Sequence, residues 1–160
     1  MTINIHQQGA QHARILGIGA YRPSLVIPNS EVVEAIESSD EWIQQRSGIK
    51  QRRWAAPDET VQLMSVAAAR QALEHSGMTA EQIDCVIVAT VSHLLQTPAI
   101  STAIAHELGT NQAAAFDISA ACAGFTYGVS MAADMVRGGS ARHVLVIGVE
   151  RLSDLTDVYD

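Results

Sequence analysis

The amino-acid sequence predicts a layered α/β fold in which helices flank a largely parallel sheet. Residues 83–91, 113–118 and 143–149 are apolar runs without regular alternation of apolar and polar positions, which is typical of strands buried on both faces. Helical patterns separate these runs, and strands that alternate with helices form parallel sheets. The hydrophobic content of 48%, with only 4% aromatic residues, suits closely packed layers of helix and sheet.

The chain is expected to begin loosely over residues 1–12 and to continue into a strand over the apolar run Arg14–Ala20. A turn that contains prolines follows. The run resembles the start of a dinucleotide-binding fingerprint at Gly17, but Arg22 occupies the position of the third glycine. A helix that starts there cannot hold a pyrophosphate in the usual way, so we interpret the glycines as parts of a strand end and a turn.

Capping residues predict where the first helices begin. Asn29 or Ser30 can cap a first helix, and Asp40 can cap a short second helix over residues 41–47. Gly48 is expected to end the second helix. A β-like segment is then expected over residues 52–54.

The later helices follow the same reasoning. The longest helical pattern, Val61–Ser76, places Val66 and other apolar residues on one face. Thr97 can cap a helix in which Pro98 is the first residue. The last helix is expected over residues 123–137, between the second and third apolar runs, with Phe125 in its core stripe.

Composition argues against several classes of function. The formal net charge of −7 argues against a nucleic-acid-binding surface, and no apolar run reaches the ~18 residues of a membrane span. The polar residues 1–11 lack the apolar core of a secretory signal, and two distant cysteines do not form a disulfide framework. These features predict a cytoplasmic protein. Without a linker or low-complexity stretch, residues 13–160 are expected to form one domain.

Cys122 is the strongest candidate for a chemically active residue. It lies between a predicted buried strand and a predicted helix, so its sulfur is expected at a sharp turn beside the positive end of a helix dipole. Free N–H groups there stabilise a thiolate and can hold the oxyanion of a thioester intermediate. The alternative is a cysteine used as a small hydrophobic residue, which is how we interpret Cys85 within its apolar strand.

A cluster of positive charge forms a second candidate site. Trp42 lies four residues before Arg46, so on a helix both side chains leave one face. An indole and a guanidinium can sandwich a flat base while nearby cations meet phosphates, which favours a nucleotide-bearing ligand over a nucleic acid. The alternative is a solvated basic patch with Trp42 packed inward. Four of the ten basic residues fall in this cluster: Arg46, Lys50, Arg52 and Arg53.

The histidines do not indicate a metal site, because none of the six has metal-ligand spacing. His93 is expected just past the first buried strand, at the sheet end that also carries Cys122. It could act as a base, although a hydrogen-bonded loop histidine is the alternative. The sequence therefore offers a nucleophile without an evident base.

These residues resemble the β-ketoacyl-acyl-carrier-protein synthase III family, whose members initiate bacterial type II fatty acid synthesis. The segment Asp40–Ile49, followed by the arginines at 52–53, is similar to that family's CoA-contact helix. The segment Ala115–Gly128 is similar to its nucleophile segment. The likeness runs from about residue 14 to the last residue.

The resemblance implies a thiolase-like layered α-β-α fold, of which this chain matches the amino-terminal half. It implies that Cys122 is the acylated nucleophile and that Trp42 and Arg46 hold the adenine of CoA. Thr97 would reach across a homodimer interface into the acyl pocket, where its small size predicts tolerance of medium or long primers. The family's catalytic histidine and asparagine would lie past residue 160, so the isolated chain is expected to be inactive in condensation.

The function implied is a two-stage acyl transfer. An acyl-CoA primer passes its acyl group to Cys122, and malonyl-acyl carrier protein then condenses with the thioester, with decarboxylation, to give 3-oxoacyl-acyl carrier protein. No resident cofactor or metal is expected, because the CoA thioester is a substrate, and no nucleic acid or membrane is expected as a partner. Two alternatives stay open: a sister thiolase-fold acyltransferase that makes a polyketide- or quinolone-type product, and a non-catalytic half-protein that binds a carrier protein.

Overall fold

The computed structural model divides the chain into two units. The small unit consists of Arg22–Thr60 with the segment that begins at Arg151, and the sheet unit consists of Val61–Glu150 with the segment that ends at Tyr21. The assignment of residues 13–160 to one domain stays a prediction. Among the described residues, no helix combines the length and apolar character needed to span a membrane. The structure describes residues 9–34, 36–110 and 112–157.

A two-stranded antiparallel ribbon organises the small unit. Strand β1 (Leu25–Pro28) pairs with strand β2 (Gln51–Trp54). Helices α1 (Asn29–Val33) and α2 (Asp40–Ser47) lie between them in sequence. Strand β2 confirms the expected β-like segment. Strand β1 lies where the sequence analysis predicted a turn on the basis of its prolines, so that prediction is wrong. Pro28 is tolerated because it is the terminal residue of a strand with only one neighbour.

The helix caps of the small unit differ from those predicted. Neither Asn29 nor Ser30 provides a side-chain cap for α1, because the Asn29 side chain is buried and donates to Asp40 Oδ1. Helix α2 is capped by Ser39 rather than by Asp40, since the Ser39 hydroxyl accepts the Trp42 N–H at 3.1 Å. Both corrections have one cause: long-range hydrogen bonds occupy the side chains that local spacing had assigned to caps.

A three-stranded parallel sheet forms the centre of the sheet unit. Strand β3 (Cys85–Ala89) lies between β4 (Ala114–Ile118) and β5 (Val144–Gly148), and both pairings are parallel. All five residues of β3 are buried. This confirms the expectation, drawn from its continuous apolar run, that the strand is covered on both faces.

Helices cover both faces of this sheet. The helices α3 (Val61–Ser76) and α4 (Ile100–Leu108) share a core with Val86 and Val88 of β3. Helix α5 (Gly124–Gly138) approaches the residues that point to the opposite face, since successive side chains of a strand alternate between faces. The sheet unit is therefore a layered α-β-α arrangement, as the sequence predicted.

Glycine allows α5 to approach the sheet closely. A Cβ atom at Gly128 would lie 2.9 Å from Val146 Cγ1, and one at Gly124 would lie 2.9 Å from Ala89 Cβ. The apolar pattern had placed Phe125 in the core stripe of this helix, and that expectation is wrong, because Phe125 is 52% exposed. Helix and strand approach each other too closely to admit a large side chain on the contact face.

The apolar run over residues 14–20 is not a strand, which corrects the sequence prediction. It lies instead against α3, where His75 Nδ1 is 2.6 Å from the Ile18 carbonyl oxygen. A Cβ atom at Gly19 would lie 2.0 Å from the Ala68 carbonyl oxygen. The glycines of this run therefore allow close packing on a helix, and a helix rather than a neighbouring strand binds the polar groups of the run.

Candidate active site

Cys122 lies in the tight turn that joins β4 to α5. The turn is a single 3-10 turn, Ala121–Ala123, and Ala121 has a φ of 45°. A left-handed conformation at a residue with a Cβ costs on the order of 1–3 kcal/mol and is found mainly at functional sites. The Cys122 thiol is exposed, so this strained turn presents the sulfur to solvent.

The amino terminus of α5 lies directly beyond the cysteine. The Ala123 and Gly124 N–H groups bond back to the carbonyl groups of Ala120 and Ala121. The N–H groups of the next helical residues carry the positive end of the helix dipole. The described first turn of α5 contains no acidic residue that would neutralise this charge. An acyl oxygen that gains negative charge during transfer to Cys122 would meet this positive end of the helix.

Cys85, the other cysteine, is chemically shielded. Its side chain is 0% exposed in β3. Burial raises the pKa of the Cys85 thiol, and the neighbouring Asp84 carboxylate raises it further. A buried, neutral thiol can neither reach a substrate nor act as an effective nucleophile. The interpretation of Cys85 as a core residue is confirmed, which leaves Cys122 as the accessible thiol.

The described residues do not supply an evident base for the cysteine. In the part of the chain that the structure describes, no hydrogen bond joins the Cys122 thiol to His93. The same residues contain no group of three histidine, cysteine, aspartate or glutamate side chains that could hold a metal ion. The site therefore presents an accessible thiol beside the amino terminus of a helix. The assignment of Cys122 as a nucleophile stays a prediction, and so does the expectation that the sequence offers no evident base, with His93 interpreted either as a base or as a loop histidine.

Thr97 is exposed in the loop that precedes α4. Because α4 begins at Ile100, the prediction that Thr97 caps a helix with Pro98 as its first residue is wrong. Asp117 of β4 takes the part of the cap, since its carboxylate accepts the N–H groups of Ile100 at 2.8 Å and Ser101 at 3.0 Å. These bonds tie the start of α4 to the strand that leads into the Cys122 turn. An acidic residue within an apolar strand was the sequence signal for Asp117, and our sequence reasoning missed it.

Trp42 and Arg46 form a continuous surface on α2 in the small unit. The Arg46 Cζ atom lies 5.7 Å from the centre of the Trp42 ring, so the two side chains leave one face of the helix, as their spacing predicted. Trp42 is 56% exposed, which excludes the inward-packed alternative. A base between them would need two stacking contacts of about 3.5 Å each, or about 7 Å in all. A base therefore stacks on the uncovered face of the indole or displaces Arg46.

A buried amide fixes both ends of α2. Asn29 is 1% exposed and donates to Asp40 Oδ1 at 2.6 Å and to the Ile49 carbonyl oxygen at 2.7 Å. Its own oxygen accepts a hydrogen bond from Arg52 Nη1 at 2.8 Å, so Arg52 of the basic cluster also has a structural role. Hydrogen bonds from Asn29, first, and then from Gln44 lower the pKa of the Asp40 carboxyl group. The helix that carries Trp42 and Arg46 is therefore anchored at both termini.

Comparison with known proteins finds relatives of one kind. The family described as 3-Oxoacyl-[acyl-carrier-protein (ACP)] synthase III matches residues 116–160, which include Cys122. The β-ketoacyl-acyl-carrier-protein synthase III 1 of Streptomyces avermitilis is 61% identical over 154 residues, which are 96% of this chain and 43% of that protein. The mycobacterial synthase III of Mycobacterium marinum is 50% identical over 160 residues, which are 100% of this chain and 48% of that protein. The chain spans about half the length of the curated relatives it matches.

Solved structures share the fold. The priming β-ketosynthase from the R1128 polyketide biosynthetic pathway superposes with a TM-score of 0.92 and 50% identity, over 96% of this chain and 46% of that chain. The 3-oxoacyl-acyl-carrier-protein synthase III of Aquifex aeolicus superposes with a TM-score of 0.88 and 39% identity, over 92% of this chain and 47% of that chain. The layered α-β-α sheet and its superposition on these structures show a thiolase-like fold. The chain resembles the amino-terminal half of the β-ketoacyl-acyl-carrier-protein synthase III proteins that it matches.

Proposed function

We propose that this chain carries the acyl-accepting nucleophile of a condensing acyltransferase that initiates type II fatty acid synthesis. The observation that carries the proposal is the exposed Cys122 at the amino terminus of α5. Support comes from the 61% identity to a synthase III of Streptomyces avermitilis. The decisive experiment is the detection by mass spectrometry of an acyl group on Cys122 after incubation with acyl-CoA.

The first stage of the proposed reaction loads the primer. The Cys122 thiolate attacks the thioester carbonyl carbon of acyl-CoA, and the negative charge that forms on the carbonyl oxygen is stabilised by the amino terminus of α5. The carbon–sulfur bond to CoA then breaks. CoA leaves as a thiolate that takes up a proton, and the acyl group stays on the Cys122 sulfur.

The second stage forms the new carbon–carbon bond. Malonyl-acyl carrier protein loses CO2, and the electron pair of the broken bond forms an enolate on the remaining two-carbon thioester. The enolate carbon attacks the acyl carbon on Cys122, and the cysteine leaves as a thiolate. The product is 3-oxoacyl-acyl carrier protein. The donors that stabilise the enolate would be the histidine and the asparagine that the family resemblance places past residue 160.

The small unit provides a surface suited to CoA as a substrate. The exposed indole of Trp42 offers one open face to adenine, and Arg46 adds positive charge at its other face. The proposal needs no resident cofactor, because CoA enters and leaves with each cycle. The cytoplasmic location expected from the sequence stays a prediction.

Replacement of Trp42 by alanine is expected to raise KM for acyl-CoA by about 2- to 30-fold with little change in kcat, because the stacking contact contributes ~0.5–2 kcal/mol. Arg46→Ala should act in the same direction, and its deficit should shrink as salt is added. Steady-state kinetics of the full-length protein give KM and kcat for each variant. Gln45→Ala, an exposed change on the same helix, is the control. Unchanged KM in both variants would remove this surface from the CoA site.

Replacement of Thr97 by phenylalanine is expected to shift primer preference from medium or long acyl-CoA toward acetyl-CoA. The added ring would occupy space that a longer chain needs, and a steric cost of 1–3 kcal/mol implies a fall of about 5- to 150-fold in relative kcat/KM for the longer primer. Thr97→Ser, which adds no volume, is the control. Wild-type protein that accepts acetyl-CoA alone would contradict the assignment of Thr97 to an open pocket.

The proposal includes assembly as a homodimer. Strand β4 is an edge of the sheet described here, and unpaired strand edges are surfaces on which a second chain can add. In the loop before α4, Leu94 and Leu95 are 76% and 58% exposed, which suits burial against another chain. A sedimentation mass of two chains would support this assembly, and a monomer at assay concentration would contradict it.

A second candidate function is priming of a polyketide pathway. The 50% identity and the TM-score of 0.92 to the R1128 priming ketosynthase favour it. Both functions use an acylated Cys122, so they differ in the carrier protein that is extended. Product formation with the fatty-acid carrier protein and with a polyketide carrier protein, compared in one assay, separates them.

A further inference from the structure

A loop between β3 and α4 is held at its two ends by carboxylates from the neighbouring strands. We call residues 93–99 the pocket loop. In the described part of the chain, the hydrogen bonds of this stretch lie next to its ends rather than within residues 93–98. Its position therefore depends on how those ends are fixed.

Glu150 fixes the first end. This residue lies beyond the carboxyl end of β5, and its Oε1 atom accepts the Val91 N–H at 2.9 Å. Its Oε2 atom accepts the Ser92 N–H at 3.0 Å and also the Ser92 hydroxyl. The Thr90 hydroxyl also donates to Oε2 at 3.4 Å, so four donors from three consecutive residues converge on one carboxylate. Hydrogen bonds to a charged acceptor are about twice as strong as neutral ones, so the chain just before the pocket loop is held firmly.

Asp117 fixes the second end. One of its oxygens accepts the Ile100 N–H, and the other accepts the Ser101 N–H. Ser101 is 0% exposed and Ile100 is 6% exposed, so this contact is shielded from water. The anion also lies at the positive end of the α4 dipole, which strengthens the contact. Asp117 lies in β4 and Glu150 follows the end of β5, and these two strands flank β3, so the loop is fixed to the sheet on both sides of its parent strand.

The pocket loop carries Thr97, which the proposed function assigns to the acyl pocket. Leu94 and Leu95 are largely exposed, and Thr97 lies two residues further on. Residues that line a pocket exclude a longer ligand only if displacing them costs substantial free energy. If they move easily, the longer ligand is accommodated and steric selection is lost. A short loop fastened at both ends meets this requirement, whereas a loop released at one end does not.

We propose that Glu150 and Asp117 are positioning residues that set the place of the pocket loop and thereby the primer-length selectivity of the enzyme. The inference rests on the proposed function, because it takes Thr97 as part of the acyl pocket. Neither carboxylate touches the reacting atoms. Each acts through the backbone N–H groups that it binds.

The isosteric variants Glu150→Gln and Asp117→Asn test the two attachments separately. Each replaces one acceptor oxygen by an NH2 group that faces a donor, so a hydrogen bond is lost without a change of shape. Amide hydrogen exchange is expected to accelerate at least tenfold at Val91 and Ser92 in the first variant, and at Ile100 and Ser101 in the second. Exchange in the centre of β3 should not change. Unchanged exchange at the loop ends would overturn the attachment.

Primer selectivity tests the functional half of the inference. In both variants of the full-length protein, the ratio of kcat/KM for a long acyl-CoA to that for acetyl-CoA should change at least fivefold, whereas a purely structural role would lower both values together. Glu107→Gln is the matched control, because it removes the same charge from α4, where Glu107 accepts only a surface bond from Gln62. An unchanged ratio with accelerated exchange would overturn the selectivity assignment.

The two failures are distinguishable. If the wild type transfers no acyl group, the proposed function is wrong and the selectivity assignment falls with it, while exchange still reports the attachment. If Asp117→Asn fails to fold, Glu150→Gln on the exposed side of the loop still tests the inference. The inference requires both attachments, so an unchanged selectivity ratio in Glu150→Gln alone would overturn it.

Discussion

Replacement of Cys122 by alanine is expected to abolish acyl transfer from acyl-CoA while the fold is retained. The change removes the only exposed thiol among the described residues, and loss of a covalent nucleophile lowers turnover by several orders of magnitude. Alanine suits the turn, which already contains Ala121 and Ala123. Transfer of a radiolabelled acyl group measures the loss, and thermal unfolding verifies the fold.

The site of acylation provides the stricter form of this test. Mass spectrometry after incubation with acyl-CoA should place a thioester on the peptide that contains Cys122 and none on the peptide that contains Cys85. Cys85→Ala serves as the control: it should retain acylation and lose stability, since it leaves a small cavity in a fully buried strand. An adduct at Cys85, or none at either cysteine, would show that the reaction does not use this nucleophile.

Residues 1–160 expressed alone are expected to release no CO2 from malonyl-acyl carrier protein. The exposed thiol and the helix dipole beside it allow slow acylation of Cys122, but the groups that stabilise the enolate would lie past residue 160. Catalytic groups that act as a unit lose nearly all of their effect when some are removed. Phe125 and Tyr127 on α5 are also more than half exposed, which predicts that this chain self-associates.

Two measurements on the same preparation test this expectation. Radiolabelled CO2 reports decarboxylation, and light scattering reports the mass in solution. A β-ketoacyl synthase III of full family length is the positive control for the carrier-protein substrate. A monomer that condenses substrates would place a base within this chain, and His93→Ala would then identify it.

The sequence predicted those parts of the fold that depend on local pattern. The continuous apolar run around β3 identified a strand covered on both faces, and the order of helices and strands identified the parallel sheet. The small residues between a strand and a helix identified the turn at Cys122, because the turn depends on residues that are adjacent in sequence. The shared face of Trp42 and Arg46 followed from helical spacing alone.

The features that the sequence analysis missed depend on partners distant in the chain. The Asp117 cap joins residues about sixteen positions apart, and Asn29 binds Asp40 rather than the start of its own helix. Residues 14–20 have the composition of a strand, but no local rule indicates that a helix will bind them. Hydrophobicity also misled at α5, where Gly124 and Gly128 make close approaches to the sheet and Phe125, beside Gly148, stays half exposed.

The left-handed conformation of Ala121 means that folding stability and precise placement of the Cys122 sulfur favour different residues at position 121. Glycine would adopt the same backbone without the Cβ penalty, so by folding energy alone a glycine is the better residue there. Glycine would also increase the number of backbone conformations that the turn can adopt. The position of the Cys122 sulfur would then vary more. Selection for heat resistance and selection for turnover are therefore expected to favour different residues at position 121.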